Sequence, residues 1–164
     1  MSKKQEALFE YLYREFYPMV KQMCLGYAKG DEAIASDLTQ EVFINCWRAV
    51  ESFRGDSGHK TWLYRITVNT CLQYIRKEKK LEQVKTEASG WNETTDHTPD
   101  EVLNKRLYEA IGQLKEIDRL MIMMVLEEQE YDEISEVLGI SEVNLRVKIH
   151  RVKKRLEKLL TQTK

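Results

Sequence analysis

The chain has 164 residues and a formal net charge of −1, a length that fits one ordinary domain or two small ones. Charges and tyrosines interrupt every apolar run of the first thirty residues, so neither a signal peptide nor membrane insertion is expected. Cys24, Cys46 and Cys71 lack C-x-x-C spacing and His59, His97 and His150 lack a ligand-like arrangement. Together these argue against a disulfide framework, a metal site or a cofactor, and for buried thiols in a reducing cytoplasm.

Only seven glycines and two prolines punctuate the chain, and apolar residues recur at three- and four-residue steps almost throughout, the helical period. The spacing predicts an all-α protein. Two small helical domains, residues 1–80 and 99–164, are joined by a flexible acidic linker at 81–98. The first helix carries Leu8, Leu12, Phe16, Val20, Met23 and Tyr27, with Pro18 expected to bend it. Gly30-Asp31 ends that pattern. The next helix carries Leu38, Val42, Cys46 and Val50. It is expected to bury Leu38, Val42, Cys46 and Trp47 and to leave Asp37, Gln40, Glu41, Ile44 and Arg48 outside. An exposed, largely acidic stripe with one isoleucine suits contact with protein better than with DNA; a solvated helix surface is the alternative.

Phe53 reads as core. The glycine-flexed polar loop 54–60 that follows, ending at Lys60, could enclose an extruded base. A helix from about Thr61 to Lys80 has Tyr64, Val68, Cys71 and Ile75 on its apolar side and Trp62, Arg65, Asn69, Gln73 and Arg76 on the other. An aromatic ring, an amide and cations on one stripe suit unstacked bases and backbone phosphates. A partly buried packing role for Trp62 is the equal alternative. Residues 60–80 carry Lys60, Arg65, Arg76, Lys77, Lys79 and Lys80 against Glu78 alone.

The polar, aperiodic segment Thr86–Asp96 reads as linker, within an acidic strap of six acids and one lysine over residues 81–101. Thr98-Pro99-Asp100-Glu101 is a helix N-terminal signature, followed by the apolar series Val102, Leu107, Ile111, Leu114, Leu120, Met124 and Val125. Asp132–Leu138 predicts a short helix, closed by Gly139 in the left-handed conformation; Ile140 plugs the core and Ser141 caps the next helix. This is helix-turn-helix geometry. Leu145, Ile149, Val152, Leu156 and Leu159 form the buried stripe of the second helix. Arg146, Val147, His150, Arg151 and Lys154 then project from the opposite side. Guanidinium groups for guanine edges or phosphates, and a small apolar group for a thymine methyl, are what a recognition helix needs. A basic, solvated terminal helix is the plainer alternative. Two basic patches flanking an acidic strap suggest two separate contacts with a polyanion.

These motifs together resemble the extracytoplasmic-function (ECF) group of sigma-70 family RNA polymerase sigma factors. Asp37-Leu38-Thr39-Gln40-Glu41-Val42-Phe43 with Trp47 is similar to the family's second region. Phe53-Arg54-Gly55, Thr61-Trp62-Leu63-Tyr64-Arg65-Ile66 and Asn69 are similar to the segment that recognises and melts the −10 element. Ile134 through Leu156 is similar to the fourth region, which reads the −35 element. The resemblance implies that Asp37, Gln40, Glu41 and Arg48 bind core RNA polymerase, and that loop 54–60 with Asn69 captures a flipped −10 base. It further implies that Arg146, Val147, His150 and Arg151 enter the major groove of promoter DNA at −35, with Lys148, Lys153 and Lys154 on phosphates. An anti-sigma factor is an expected partner, and the free chain is expected to be a monomer. Glu128, Glu130 and Ser135 depart from the family's usual glycine, capping serine and alanine, which is expected to weaken capping or alter helix packing.

Two other readings compete. A conventional helix-turn-helix regulator would normally dimerise, yet no sustained heptad seam is present. A sigma mimic that occupies an anti-sigma protein without binding DNA would have no need of Arg146, Arg151 and Asn69. An enzyme is not expected, since paired carboxylates, phosphate-cradling glycines and nucleophile-base spacing do not occur.

Overall fold

Ser2 opens the first helix, α1 (Lys3–Tyr27), with a reciprocal cap in which its hydroxyl accepts from the Gln5 N–H and the Gln5 side chain accepts from the Ser2 N–H. The computed structural model describes residues 2–55, 58–82 and 99–162, with the side chains of 75–82, 99–101 and 103 excepted. The linker reading of 83–98, the Asp56-Ser57 part of the loop, the Thr98 cap and the side chains of Ile75 and Arg76 lie outside the described residues. Pro18 sits inside α1 without ending it. The helix ends where Lys29 and Gly30 take positive φ, 61° and 87°, and the Gly30 N–H donates back to the Leu25 carbonyl at 2.9 Å. Asp31 then accepts from the Ala33 and Ile34 N–H groups and starts α2 (Glu32–Ala49), which folds back on α1.

A single 3-10 turn, Val50–Ser52, leads to the loop and α3 (His59–Glu82). Leu12, Val20, Met23 and Cys24 of α1, Leu38, Val42 and Cys46 of α2, and Leu63, Tyr64, Val68 and Cys71 of α3 form the core of this first lobe. Thr39, Thr67 and Thr70 are buried among them, and each hydroxyl donates to the carbonyl one turn earlier, so none is left unsatisfied. Three expectations need correction. Trp47 is 40 % exposed, because its indole sits on the rim, edge-on to Phe9 at 5.0 Å. Phe53 is only half-buried and packs against the His59 and Trp62 rings. Val102, in the first turn of α4 (Pro99–Gly112), faces solvent.

The second lobe comprises α4, α5 (Glu116–Leu126), α6 (Tyr131–Leu138) and α7 (Glu142–Gln162). Its central element is α5, where six consecutive residues from Arg119 to Met124 are buried. A helix buried all round must be covered on more than one side. One side of α5 meets α6 and α7; the other meets α1 and α3 of the first lobe. The apolar interior is therefore continuous across both lobes.

Candidate nucleic-acid interface

The helix-turn-helix is built by local backbone chemistry. Gly139 has φ 69° and ψ 31°, the left-handed conformation that lets its N–H return to the Ser135 carbonyl. The Ile140 N–H donates to the same oxygen at 3.2 Å, and the Ile140 side chain packs against the core. The Ser141 hydroxyl accepts from the Asn144 N–H at 3.3 Å and so caps α7. Ser135, expected to disturb this region, instead ties it: its hydroxyl donates to the Ile140 carbonyl across the turn. Glu128 and Glu130 behave as their departure implies. Glu128 is held at φ 58°, and Glu130 occupies the N-cap of α6 with no side-chain cap bond.

Burial of Leu145, Ile149, Val152 and Leu156 turns the other face of α7 outward. Arg146, His150, Arg151, Lys153 and Lys154 are exposed on it, and Val147 is 47 % exposed. Arg146 also lies over the Tyr131 ring, 5.6 Å from its centroid, a cation–π contact that limits where the guanidinium can point. Lys148 is turned inward by comparison and pairs with Asp118 of α5 at 2.9 Å. Two further residues lie on this face, one turn before those marked by the spacing of the sequence. Val143 is 73 % exposed, and Asn144 is exposed beside it. Val143 precedes Val147 by one helical turn, so the same 100° rule would have found it.

On α3, Asn69 and Gln73 are exposed, Lys60 is exposed at its start, and Trp62 is half-buried. Its ring packs on Phe53 at 4.9 Å, which agrees with the packing alternative while leaving part of the indole open. Arg65 is engaged across the lobe boundary with Glu136 of α6 at 2.5 Å. On α2, Asp37, Gln40, Glu41, Ile44 and Arg48 are all exposed, and Trp47 extends their stripe.

The cysteines are buried. Burial pushes the Cys46 thiol up to about 12, and a hydrogen bond to Cys24, then burial, raises Cys71 well above the ordinary thiol range. Such thiols are poor nucleophiles and ligands. Among the described residues no group of three or more His, Cys, Asp or Glu side chains could hold a metal ion. No helix among them is long and apolar enough to cross a membrane.

A small helical lobe with an open α2 stripe and a polar α3 face, followed by a lobe carrying a capped recognition helix, defines a DNA-binding transcription protein. Residues 12–81 match Sigma-70 region 2 and residues 104–156 match Sigma-70, region 4. RNA polymerase sigma factor YlaC of Bacillus subtilis (strain 168) is 28 % identical over 168 residues, covering 98 % of this chain and 96 % of that protein. The ECF RNA polymerase sigma-E factor of Escherichia coli (strain K12) is 30 % identical over 135 residues, covering 74 % of this chain and 71 % of the relative. Among solved structures, the Bartonella quintana sigma factor RpoE, in complex with the anti-sigma factor NepR, superposes with a TM-score of 0.77 at 19 % identity, covering 95 % of this chain and 98 % of the other. CnrH, in complex with the cytosolic domain of CnrY, gives 0.70 at 20 % identity, with 97 % and 91 % covered. The chain belongs to the ECF group of RNA polymerase sigma factors. It acts in transcription initiation, binding core RNA polymerase and recognising promoter DNA.

Proposed function

We propose a residue-level division of this activity. The α7 face of Arg146, Val147, His150 and Arg151, extended by Val143 and Asn144, reads the −35 element in the major groove; Lys148, Lys153 and Lys154 hold phosphates. The α3 face of Lys60, Trp62, Arg65, Asn69, Gln73 and Arg76, with loop 54–60, takes the −10 element. The α2 stripe of Asp37, Gln40, Glu41, Ile44 and Arg48, joined by Trp47, binds polymerase. The domains are residues 1–80 and 99–164, with 81–98 between them. The chain carries out no catalysis of its own, works in the cytoplasm as a monomer when free, and is held in check by an anti-sigma protein; support for such a partner comes from the Bartonella quintana sigma factor, whose structure is a complex with an anti-sigma factor.

One observation carries the reading: two exposed valines one turn apart, flanked by Arg146 and Arg151, on the helix that follows the Gly139–Ser141 turn. Apolar side chains in water gain nothing there, whereas against thymine methyls they bury area while the guanidinium groups reach guanine edges. The test is transcription from a cognate promoter by holoenzyme reconstituted with this chain. Arg146→Ala and Arg151→Ala are each expected to weaken −35 binding by about 1–3 kcal/mol if bidentate. Full transcription by the double variant would overturn the assignment.

A further inference from the structure

Tyr131 is the first residue of α6 and follows Glu130, whose carbonyl accepts from the Ile134 N–H at 3.0 Å. Its ring is half-buried and packs against the core. The guanidinium of Arg146, on α7, lies over that ring, 5.6 Å from its centroid. The turn brings the two residues together. The Gly139 and Ile140 N–H groups both return to the Ser135 carbonyl, and the Ser135 hydroxyl donates to the Ile140 carbonyl. The ring is therefore a fixed platform beside the recognition helix.

Arg146 has use for such a platform. It is exposed, and an arginine on a helix surface loses much of its rotamer freedom when it is fixed on a base. A ring that already restrains it removes part of that cost before DNA arrives. Arg146 also has a rival partner on its own helix. Glu142, exposed in the first turn of α7, precedes it by four residues, the spacing at which a carboxylate captures a cation. The guanidinium lies over Tyr131 instead.

The choice of partner matters for recognition. A carboxylate takes up the donor groups of a cation in directed bonds, as Glu136 does with Arg65 and Asp118 with Lys148. An aromatic face attracts the charge itself through its quadrupole. It leaves the fork of N–H donors available for the O6 and N7 edge of a guanine.

We propose that Tyr131 is a positioning residue for promoter reading: its ring holds Arg146 ready for the groove with its donors unspent, and so sharpens discrimination at the base pair that Arg146 contacts. The inference rests on the −35 reading above. Arg151 supplies an internal comparison. It lies five residues beyond Arg146, about 7.5 Å further along the helix axis, and it is Arg146 that the ring holds.

The test uses holoenzyme reconstituted with the full-length chain and a duplex library randomised over both promoter elements. Sequencing of the bound fraction gives the base preference at each position. Arg146→Ala should flatten one position of the −35 element and Arg151→Ala another, each by at least about fivefold. Tyr131→Leu keeps an apolar side chain of good helix propensity against the core. It should lower the preference at the Arg146 position by about two- to fivefold, the factor that an exposed cation–π contact carries, and leave the Arg151 position unchanged. Tyr131→Phe keeps the ring and should match the unaltered chain. Adding Tyr131→Leu to Arg146→Ala should cost nothing further at that position.

An even loss over all positions in Tyr131→Leu would make the residue merely structural, and an undiminished preference at the Arg146 position would make Arg146 self-sufficient. Either result overturns the proposal while the −35 reading stands. A Tyr131→Phe variant as impaired as Tyr131→Leu would give the role to the hydroxyl and overturn it too. If Arg146→Ala flattens no position, the failure lies with the −35 reading of that residue, and the positioning role goes with it. The contact is also read without DNA or variants: by NMR of the free chain, the ring current should move the Arg146 side-chain protons upfield, and unshifted protons would overturn the proposal.

Discussion

The entry to the helix-turn-helix holds two correctable faults, and the gain from repairing them can be worked from the backbone. Glu128 lies at φ 58°, where a residue with a side chain costs about 1–2 kcal/mol more than glycine. Glycine returns roughly 0.5–1 kcal/mol of that through the greater freedom of its unfolded chain, so Glu128→Gly should stabilise by about 0.5–1 kcal/mol. Glu130 occupies the N-cap of α6 without a side-chain cap bond. A serine there contributes about 1 kcal/mol, offset by roughly 0.5 kcal/mol for losing a negative charge at a helix N-terminus that keeps Asp132 and Glu133. Together the two changes should stabilise the chain by about 1–1.5 kcal/mol. At 2–4 °C per kcal/mol for a chain of this size, Tm should rise by roughly 2–6 °C. Thermal melting followed by circular dichroism reads the shift, and slower hydrogen exchange at the first amides of α6 would locate it. An unchanged or lower Tm for the double variant would refute the reasoning, since it would mean that neither the positive φ nor the empty cap carries a cost.

Ser135→Ala deletes the hydroxyl that donates to the Ile140 carbonyl across the turn; after allowing for the better helix propensity of alanine, a net loss of about 0.5–1 kcal/mol is expected by urea unfolding, and a gain would show that the bond is dispensable. Lys153→Ala should weaken promoter binding evenly across sequences and lower the slope of log K against log salt by about 1; a sequence-selective loss would place Lys153 on a base. Cys46 is pushed up to about 12 by burial, so above pH 9 the unfolded thiol releases its proton first and the native state binds more protons. Stability should therefore fall between about pH 9 and 12, by up to roughly 1.4 kcal/mol per pH unit, in the same direction as the burial-raised Tyr27 and Tyr64 phenols. Equal urea midpoints at pH 8 and pH 10.5 would contradict this. A thiol reagent should leave native Cys24, Cys46 and Cys71 untouched and modify all three in denaturant; rapid reaction of the folded chain would show that these thiols are accessible.

What could be read from the sequence alone was whatever short-range chemistry dictates. The glycine, isoleucine and serine at 139–141 specify their turn through bonds spanning only a few residues, and the four-three stepping from Leu145 to Leu156 sets which face of α7 is buried. For that reason the exposed basic face of α7 was legible, as were the open α2 stripe and the apolar side of α3. The same rule extended by one turn would have added Val143. Periodicity, however, gives the phase of a helix about its own axis and says nothing of how far its neighbours reach. Trp47 has the spacing of a core residue, yet nothing covers its outer side.

Helix α5 marks the limit most clearly. Leu120 to Met124 are apolar at every position, so the segment has no phase and does not announce which sides are covered, or by what. Only the tertiary structure decides that its second side meets α1 and α3, that Arg119 is buried against the end of α1, and that Arg65 and Lys148 are drawn into ion pairs with Glu136 and Asp118. These contacts join residues dozens of positions apart, and their partners are set by the packing of whole helices. The sequence by itself determined two helical lobes and the faces they present; how the lobes meet depends on shape and charge complementarity between surfaces that no local pattern encodes.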